Sequence, residues 1–337
     1  MLSLAIKTEI DLDINRAAML ATNFCHHLFT VNDYKNAEIC SEEIYHLLKF
    51  TELQQYQATI TKILGESLRM NNEHDRSLEI LNEALAMDKK IFSKFERASM
   101  LSDIGYIYQS QEKKEKAIET AKMIEQLSAP NSTNWIVAKY IIAECSLEGG
   151  ALINKLKSLE KLAQKANAKT LCNNISLSLC YILGESEQLK RFDSVTKQST
   201  DTYNVIRAII SKSLMILDRD DLEMSEDDIR LLYKAYSYLY GQSMVDLFDM
   251  CHKALWMICV RKLLVSDLLN LFRHSSFFWR ILDQDKVEEE YFLQLHNDYN
   301  LTIDTFDNKG IVEMNLEYFN RRKLELKKIG PAQLQLS

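Results

Sequence analysis

The side chains in this chain that could ligate a metal or act as nucleophiles are few, and their spacing suits neither task. Cys25-His26-His27 sets a thiol beside two imidazoles, and Cys251-His252 is followed by Cys259. A zinc site needs convergent ligands, four in its structural form. Neighbours on a helix point apart, so His26 and His27 face different ways. Cys251 and Cys259 fall on one apolar stripe, where a thiol behaves as a small hydrophobe. The acidic run Asp218-Arg219-Asp220-Asp221, with Glu223 and Glu226-Asp227-Asp228 after it, lacks the glycine and closing glutamate of a calcium loop. Ser225-x-x-Asp228 reads instead as a capping arrangement opening a helix over 229–240, with acids at its positive dipole end. No Walker-type phosphate loop, Gly-x-Gly-x-x-Gly or Gly-x-Ser-x-Gly elbow is present, although Leu-Gly-Glu-Ser occurs at both 64–67 and 183–186. Catalytic residues, metals and cofactors are all expected to be none.

The elements that must carry these side chains are helices. The 337 residues include only two prolines and eight glycines, and either residue costs about 1–3 kcal/mol inside a helix. A hydrophobic content of 47% is ample for a continuous buried seam. The net charge of −7 argues against a general phosphate-backbone binder, so nucleic acid is not expected as a partner. The first residues have no long apolar run and carry acids early, unlike a signal peptide. The most apolar stretch, 244–265, is interrupted by Asp246, Asp249, His252, Lys253 and Arg261, too much charge to span a bilayer. Seven cysteines without clustered spacing suit a reducing, cytoplasmic setting.

Three segments repeat one pattern at a 40-residue step: Phe24-Cys25-x-x-Leu28, Leu64-Gly65-x-x-Leu68 and Ile104-Gly105-x-x-Tyr108. The small residues Ala37, Ser77 and Ala117 follow in step, then Ser41, Leu81 and Ala121, then Ile44, Ala84 and Ile124. Small side chains at two facing positions let paired helices approach closely. Polar stretches at 31–33, 71–75 and 111–113 read as the turns within pairs. The pattern, clear over 17–127, resembles a tetratricopeptide (TPR) array, although its period is longer than that family's usual one. It implies an all-α fold: an α-solenoid of antiparallel helix pairs, with a more divergent helical C-terminal half. Residues 1–130 read as three TPR-like helix pairs. Residues 131–199 read as divergent pairs, with helices over 135–147, 151–166, 169–183 and 187–197. Residues 200–337 read as degenerate repeats or a helical cap or oligomerisation region, closing on a basic helix end at Arg321 to Lys328 and a Gly330-Pro331 stop.

In the family that the pattern resembles, the first helix of each pair lines a concave binding surface. That resemblance implies partner-binding positions at Thr22, His26 and Phe29, at Lys62, Glu66 and Arg69, and at Tyr106 and Gln109. Lys62 matches one lysine of the clamp with which chaperone-binding members hold a peptide's carboxylate. Glu66, Ser99 and Asp103 replace the other clamp positions, so an acidic chaperone tail is not the expected ligand. In the aromatic C-terminal half, Tyr233, Tyr236 and Tyr240 form one stripe read as core. Phe277-Phe278-Trp279 point three rings in three directions and stand as a candidate exposed anchor. The expected function is a non-catalytic adaptor or sensor for a protein or peptide, not a membrane protein, with a homo-oligomer through the C-terminal half also open. Two alternatives are carried: the recognition region or companion subunit of a STAND-type ATPase signalling or bacterial immune system, and a peptide-responsive TPR regulator.

Overall fold

A computed structural model describes residues 14–299, apart from 50, 89, 200, 220–221, 241–243, 263 and 282–284. The described residues form fifteen α-helices and no strand, so the chain is all-α. It divides into two compact units, 1–195 and 196–337. The expected basic helix end at Arg321 to Lys328 and its Gly330-Pro331 stop lie outside the described residues, as do Asp220 and Asp221.

The first unit is a run of helix pairs: α1 (Ile14–Thr30) with α2 (Tyr34–Leu48), α3 (Gln54–Met70) with α4 (His74–Ala86), and α5 (Lys94–Ser110) with α6 (Lys114–Leu127). The first helices begin at Ile14, Gln54 and Lys94 and the second at Tyr34, His74 and Lys114, so both keep the step of the sequence pattern. α7 (Thr133–Ser146), α8 (Gly149–Lys165), α9 (Lys169–Ile182) and α10 (Glu185–Gln198) follow with the register broken. α1, α3 and α5 each hold 17 residues, and with the links 49–53 and 87–93 they account for the long repeat. The first helices α1, α3, α5, α7 and α9 touch in succession and form one layer. The second helices α2, α4, α6 and α8 each pack on the first helix of their own pair and on that of the next.

The turns within pairs are copies of one another. Asn32, Asn72 and Glu112 all adopt left-handed φ, at 60°, 63° and 57°. After each, a backbone N–H reaches back five residues: Asp33 to Leu28, Glu73 to Leu68 and Lys113 to Tyr108, at 2.9, 2.9 and 2.8 Å. This is the Schellman closure, which satisfies carbonyls that the helix end would otherwise leave unpaired. Asn167, with φ 53°, repeats it between α8 and α9.

The small residues of the repeat do what their spacing predicts in the second pair. The Ser77 hydroxyl donates to the Gly65 carbonyl at 2.7 Å, and a Cβ on Gly65 would fall 2.7 Å from Leu81. Gly105 differs: the space a Cβ would need is filled by Ile141 of α7, 2.9 Å away, so this glycine admits the next pair rather than Ala117. Cys25, Ala37, Ser41 and their equivalents are buried. Past the regular repeats, Ser132 caps α7 by accepting from the Trp135 amide at 3.4 Å. Leu152, Leu156, Leu159 and Ala163 line the buried face of α8. Gly149 and Gly150, read as a turn, instead open α8, with Gly149 at φ +54°.

The second unit holds α11 (Thr202–Leu217), α12 (Glu226–Leu239), α13 (Val245–Arg261), α14 (Val265–Ile281) and α15 (Asp285–Tyr299). α12 starts earlier than expected, at Glu226 rather than Ile229, because Ser225 itself is the N-cap, its hydroxyl accepting from the Asp228 amide at 3.1 Å. The core here is aromatic. Phe248 and Phe278 approach to 4.2 Å between ring centroids, and Trp279 stacks on Tyr291 at 5.2 Å. Phe278 and Trp279 are therefore core residues, 3% and 0% exposed, not an exposed anchor. Three consecutive rings need three sinks, and α12, α13 and α15 supply two of them. The Phe277 side chain lies outside the described residues. Of the tyrosine stripe, Tyr236 and Tyr240 join this cluster while Tyr233 stays exposed.

Candidate functional site

The expected groove positions on α3 and α5 converge into one half-buried polar strip. On α3, Lys62, Glu66 and Arg69 follow at steps of four and three, which puts them on one face. Lys62 Nζ lies 3.7 Å from Glu66 Oε1. Arg69 reaches across to α5, where its Nε sits 2.7 Å from Asp103 Oδ1 and its guanidinium 6.0 Å from the Tyr106 ring centroid. The strip continues onto the next two first helices. Tyr106 meets Tyr140 of α7 at 6.3 Å between centroids, and the Tyr140 and Ser178 hydroxyls, the latter on α9, lie 2.7 Å apart. Gln109 lies one turn beyond Tyr106, half-buried.

Electrostatically the strip is two cations facing two carboxylates with little water between them. Burial, with Asp103 close by, pushes the Glu66 carboxyl up to about 7, against the pull of Lys62 and Arg69. Burial also raises Asp103, which Arg69 and then Lys62 oppose, and raises the Tyr106 phenol. Both cations already stand opposite carboxylates, so neither is available to clamp an incoming one.

The first repeat does not join the strip in the same way. Thr22 is buried and its hydroxyl donates back to the Ala18 carbonyl at 2.7 Å, which removes it from any accessible groove. His26 is exposed, and Phe29 packs edge-on against Tyr34 at 5.2 Å. Two members of the strip, Tyr140 and Ser178, are absent from the expected positions, and Asp103 enters them only as a replaced clamp position. Asp103 lies three residues before Tyr106 and so shares its face. From Tyr106 to Tyr140 the step is shorter than the repeat, so a search locked to the repeat passes over Tyr140.

Comparisons with known proteins add little. No family model matches the chain, and no curated protein matches it. Among solved structures, the crystal structure of Rap protein complexed with competence and sporulation factor superposes at a TM-score of 0.46 with 11% identity, covering 84% of this chain and 97% of that one. Similarity at this level carries nothing about ligand or partner.

The thiol–imidazole groups singled out in the sequence do not assemble. Cys25 is fully buried, its thiol pushed up to about 12, while His26 and His27 are exposed. Cys251 is buried and points at the Leu232 carbonyl, 3.6 Å away. Among the described residues no three His, Cys, Asp or Glu side chains converge as a metal site, and no helix is long and apolar enough to cross a membrane.

Proposed function

We propose that this chain is a non-catalytic helical-repeat adaptor or sensor that binds a protein or peptide along the layer of first helices. The observation that carries the reading is the Lys62–Glu66–Arg69–Asp103–Tyr106 strip, extended by Tyr140. Charged groups half-removed from water in a row across consecutive repeats are costly to a fold that has no use for them. Tyrosine adds a broad apolar face with a polar tip, which suits recognition. The paired charges favour an internal peptide, a helix or a folded surface with mixed charge over a chain terminus.

The test is to isolate native complexes from cells carrying the intact chain and a triple variant, Lys62→Ala, Arg69→Ala and Tyr106→Ala. A partner that copurifies with the first and is lost from the second supports the reading. A helical variant by circular dichroism that keeps every partner refutes it.

A further inference from the structure

On the other side of α5 the first unit has a cleft of about 790 Å³ between α4 and α6. Its floor is Phe92, Leu101, Ile104 and Tyr108, and Leu85 and Met123 stand in its walls. Arg97, Leu101, Ile104 and Tyr108 recur at steps of four, three and four along α5. Two residues turn a helix by about 200°, so the face holding Leu101 and Ile104 is opposite the one holding Asp103 and Tyr106. The cleft is as large as the usual small-ligand site.

The lining carries charge that no described residue neutralises. Lys94, Arg97 and Lys116 oppose a single acid, Glu119, and among the described residues none of the four is in an ion pair. Lys116 lies 5.5 Å from the Tyr108 ring centroid. The Arg97 guanidinium is held in place by donating from Nη2 to the Leu85 carbonyl at 2.9 Å, while its Nη1 is buried with no hydrogen-bond partner among the described residues. An unpaired donor costs the fold where it is, and a shift of the half-buried Arg97 side chain into the cleft would bring it to an acceptor there. In a chain of net charge −7, this basic-rimmed apolar cleft is a local exception.

We propose that the α4–α6 cleft is a second binding site, which takes a short peptide with large apolar side chains and a carboxylate that accepts from Arg97. The side chains fill the apolar floor, and Lys94 and Lys116 add attraction at the rim. A peptide fits better than a hydrocarbon acid because Asn82 and Gln126 also line the cleft. The Asn82 NH2 already donates to the Leu78 carbonyl at 2.7 Å, but its oxygen and the Gln126 amide can pair with a peptide backbone, whereas an alkyl chain would strip them of water without replacing it.

The test uses the full chain and a fluorescein-labelled hexapeptide of leucine, phenylalanine and alanine, made with either a free C-terminal carboxylate or a C-terminal amide. Fluorescence anisotropy should show the acid binding at least about tenfold more tightly than the amide, the scale of a charge-assisted hydrogen bond. Arg97→Met should reduce the acid to the level of the amide. Met123→Asp, at an exposed wall position, should weaken the acid in an undisturbed fold and decides the matter alone if Arg97→Met does not fold. The Lys62, Arg69 and Tyr106 triple variant should bind the peptide as the parent does, which separates this site from the strip on the opposite face. Equal binding of acid and amide, no saturable binding, or loss of binding in the triple variant would each overturn the proposal.

Discussion

Two buried ionisable clusters, one in each unit of this protein, are handled by opposite means. In the first, Lys62, Glu66, Arg69 and Asp103 are sunk together, each charge answered by its opposite. In the second unit, which also pairs Lys212 with Asp228 at 2.7 Å, the His252 imidazole lies fully buried among rings, 4.6 Å from Trp279 and 4.4 Å from Tyr291 between centroids. Its Nδ1 is 2.6 Å from the Ser275 hydroxyl, which lies 2.8 Å from that of Tyr236, and its Nε2 has no partner among the described residues. Along the strip the carboxyls have cationic partners that oppose, without cancelling, the effect of burial, whereas the imidazole has no such partner. The strip is half-buried and still meets solvent, whereas the imidazole is closed inside its aromatic box. The contrast favours the first unit as the recognition surface and the second as a packed body.

The largest expected effect tests how far that body depends on its rings. Trp279 is fully buried, stacks on Tyr291 and donates from Nε1 to Asp249 at 2.6 Å. Trp279→Ala removes the ring and leaves a half-buried carboxylate without its donor. The expected loss is roughly 3–5 kcal/mol. Hydrogen exchange should show protection collapsing across 245–281 and persisting across 54–127. Retained protection in 245–281 would mean that the aromatic cluster is not what holds the second unit together.

The next test turns on the sign of pH dependence. Burial pushes His252 down to about 3 from 6.5. Between those values the unfolded chain binds a proton that the folded chain refuses, so stability falls as pH drops through that window. From pH 6.5 to 5 the loss is about 2 kcal/mol. Glu66 behaves in reverse. Its carboxyl is raised to about 7 from 4.5, so the folded chain holds a proton that the unfolded chain releases, and stability falls as pH rises through that window. Glu66→Gln should therefore stabilise at pH 8, by on the order of 1–3 kcal/mol, and change little at pH 4. Urea unfolding followed by exchange in 54–110 and in 245–281 separates the two. If stability in the two segments moved in the same direction with pH, burial of Glu66 and of His252 would not be what sets it.

Legibility in the sequence follows the same division. Over 17–127 the repeat is written in residues whose size is fixed by contact, so Gly65, Ser77 and Leu81 signal a close crossing that the Ser77–Gly65 bond and the Leu81 contact realise. Helical period alone places Lys62, Glu66 and Arg69 on one face. What the period does not give is partner choice across helices: that Arg69 meets Asp103, or that Tyr106 meets Tyr140 after the step shortens. Thr22 sits at the same register as Lys62 yet is buried, with its hydroxyl turned back to the Ala18 carbonyl. In the second unit, composition shows many rings, but not that Phe278 and Trp279 turn inward. A core built from large, adaptable rings imposes no fixed spacing on the chain.

The smallest expected effect concerns the turns that repeat through the first unit and that its regular pairs depend on. Three of them put residues at the same step into left-handed backbone, and the occupants differ: asparagine at 32 and 72, glutamate at 112. Asparagine tolerates this region because its short polar side chain bonds locally, whereas glutamate meets the full clash between Cβ and the following carbonyl. Glycine has no Cβ to clash and is the usual occupant of this closure. Glu112→Gly should therefore stabilise by about 0.5–1 kcal/mol, the relief of strain being partly offset by glycine's freedom in the unfolded chain. Asn72→Gly, at the equivalent step, should gain only a few tenths. The Lys113-to-Tyr108 bond persists in either case because it is backbone to backbone. Exchange rates across 94–127 give the readout. A Glu112→Gly variant no more stable than its parent would show that the exposed glutamate is held there by contacts the backbone geometry does not reveal.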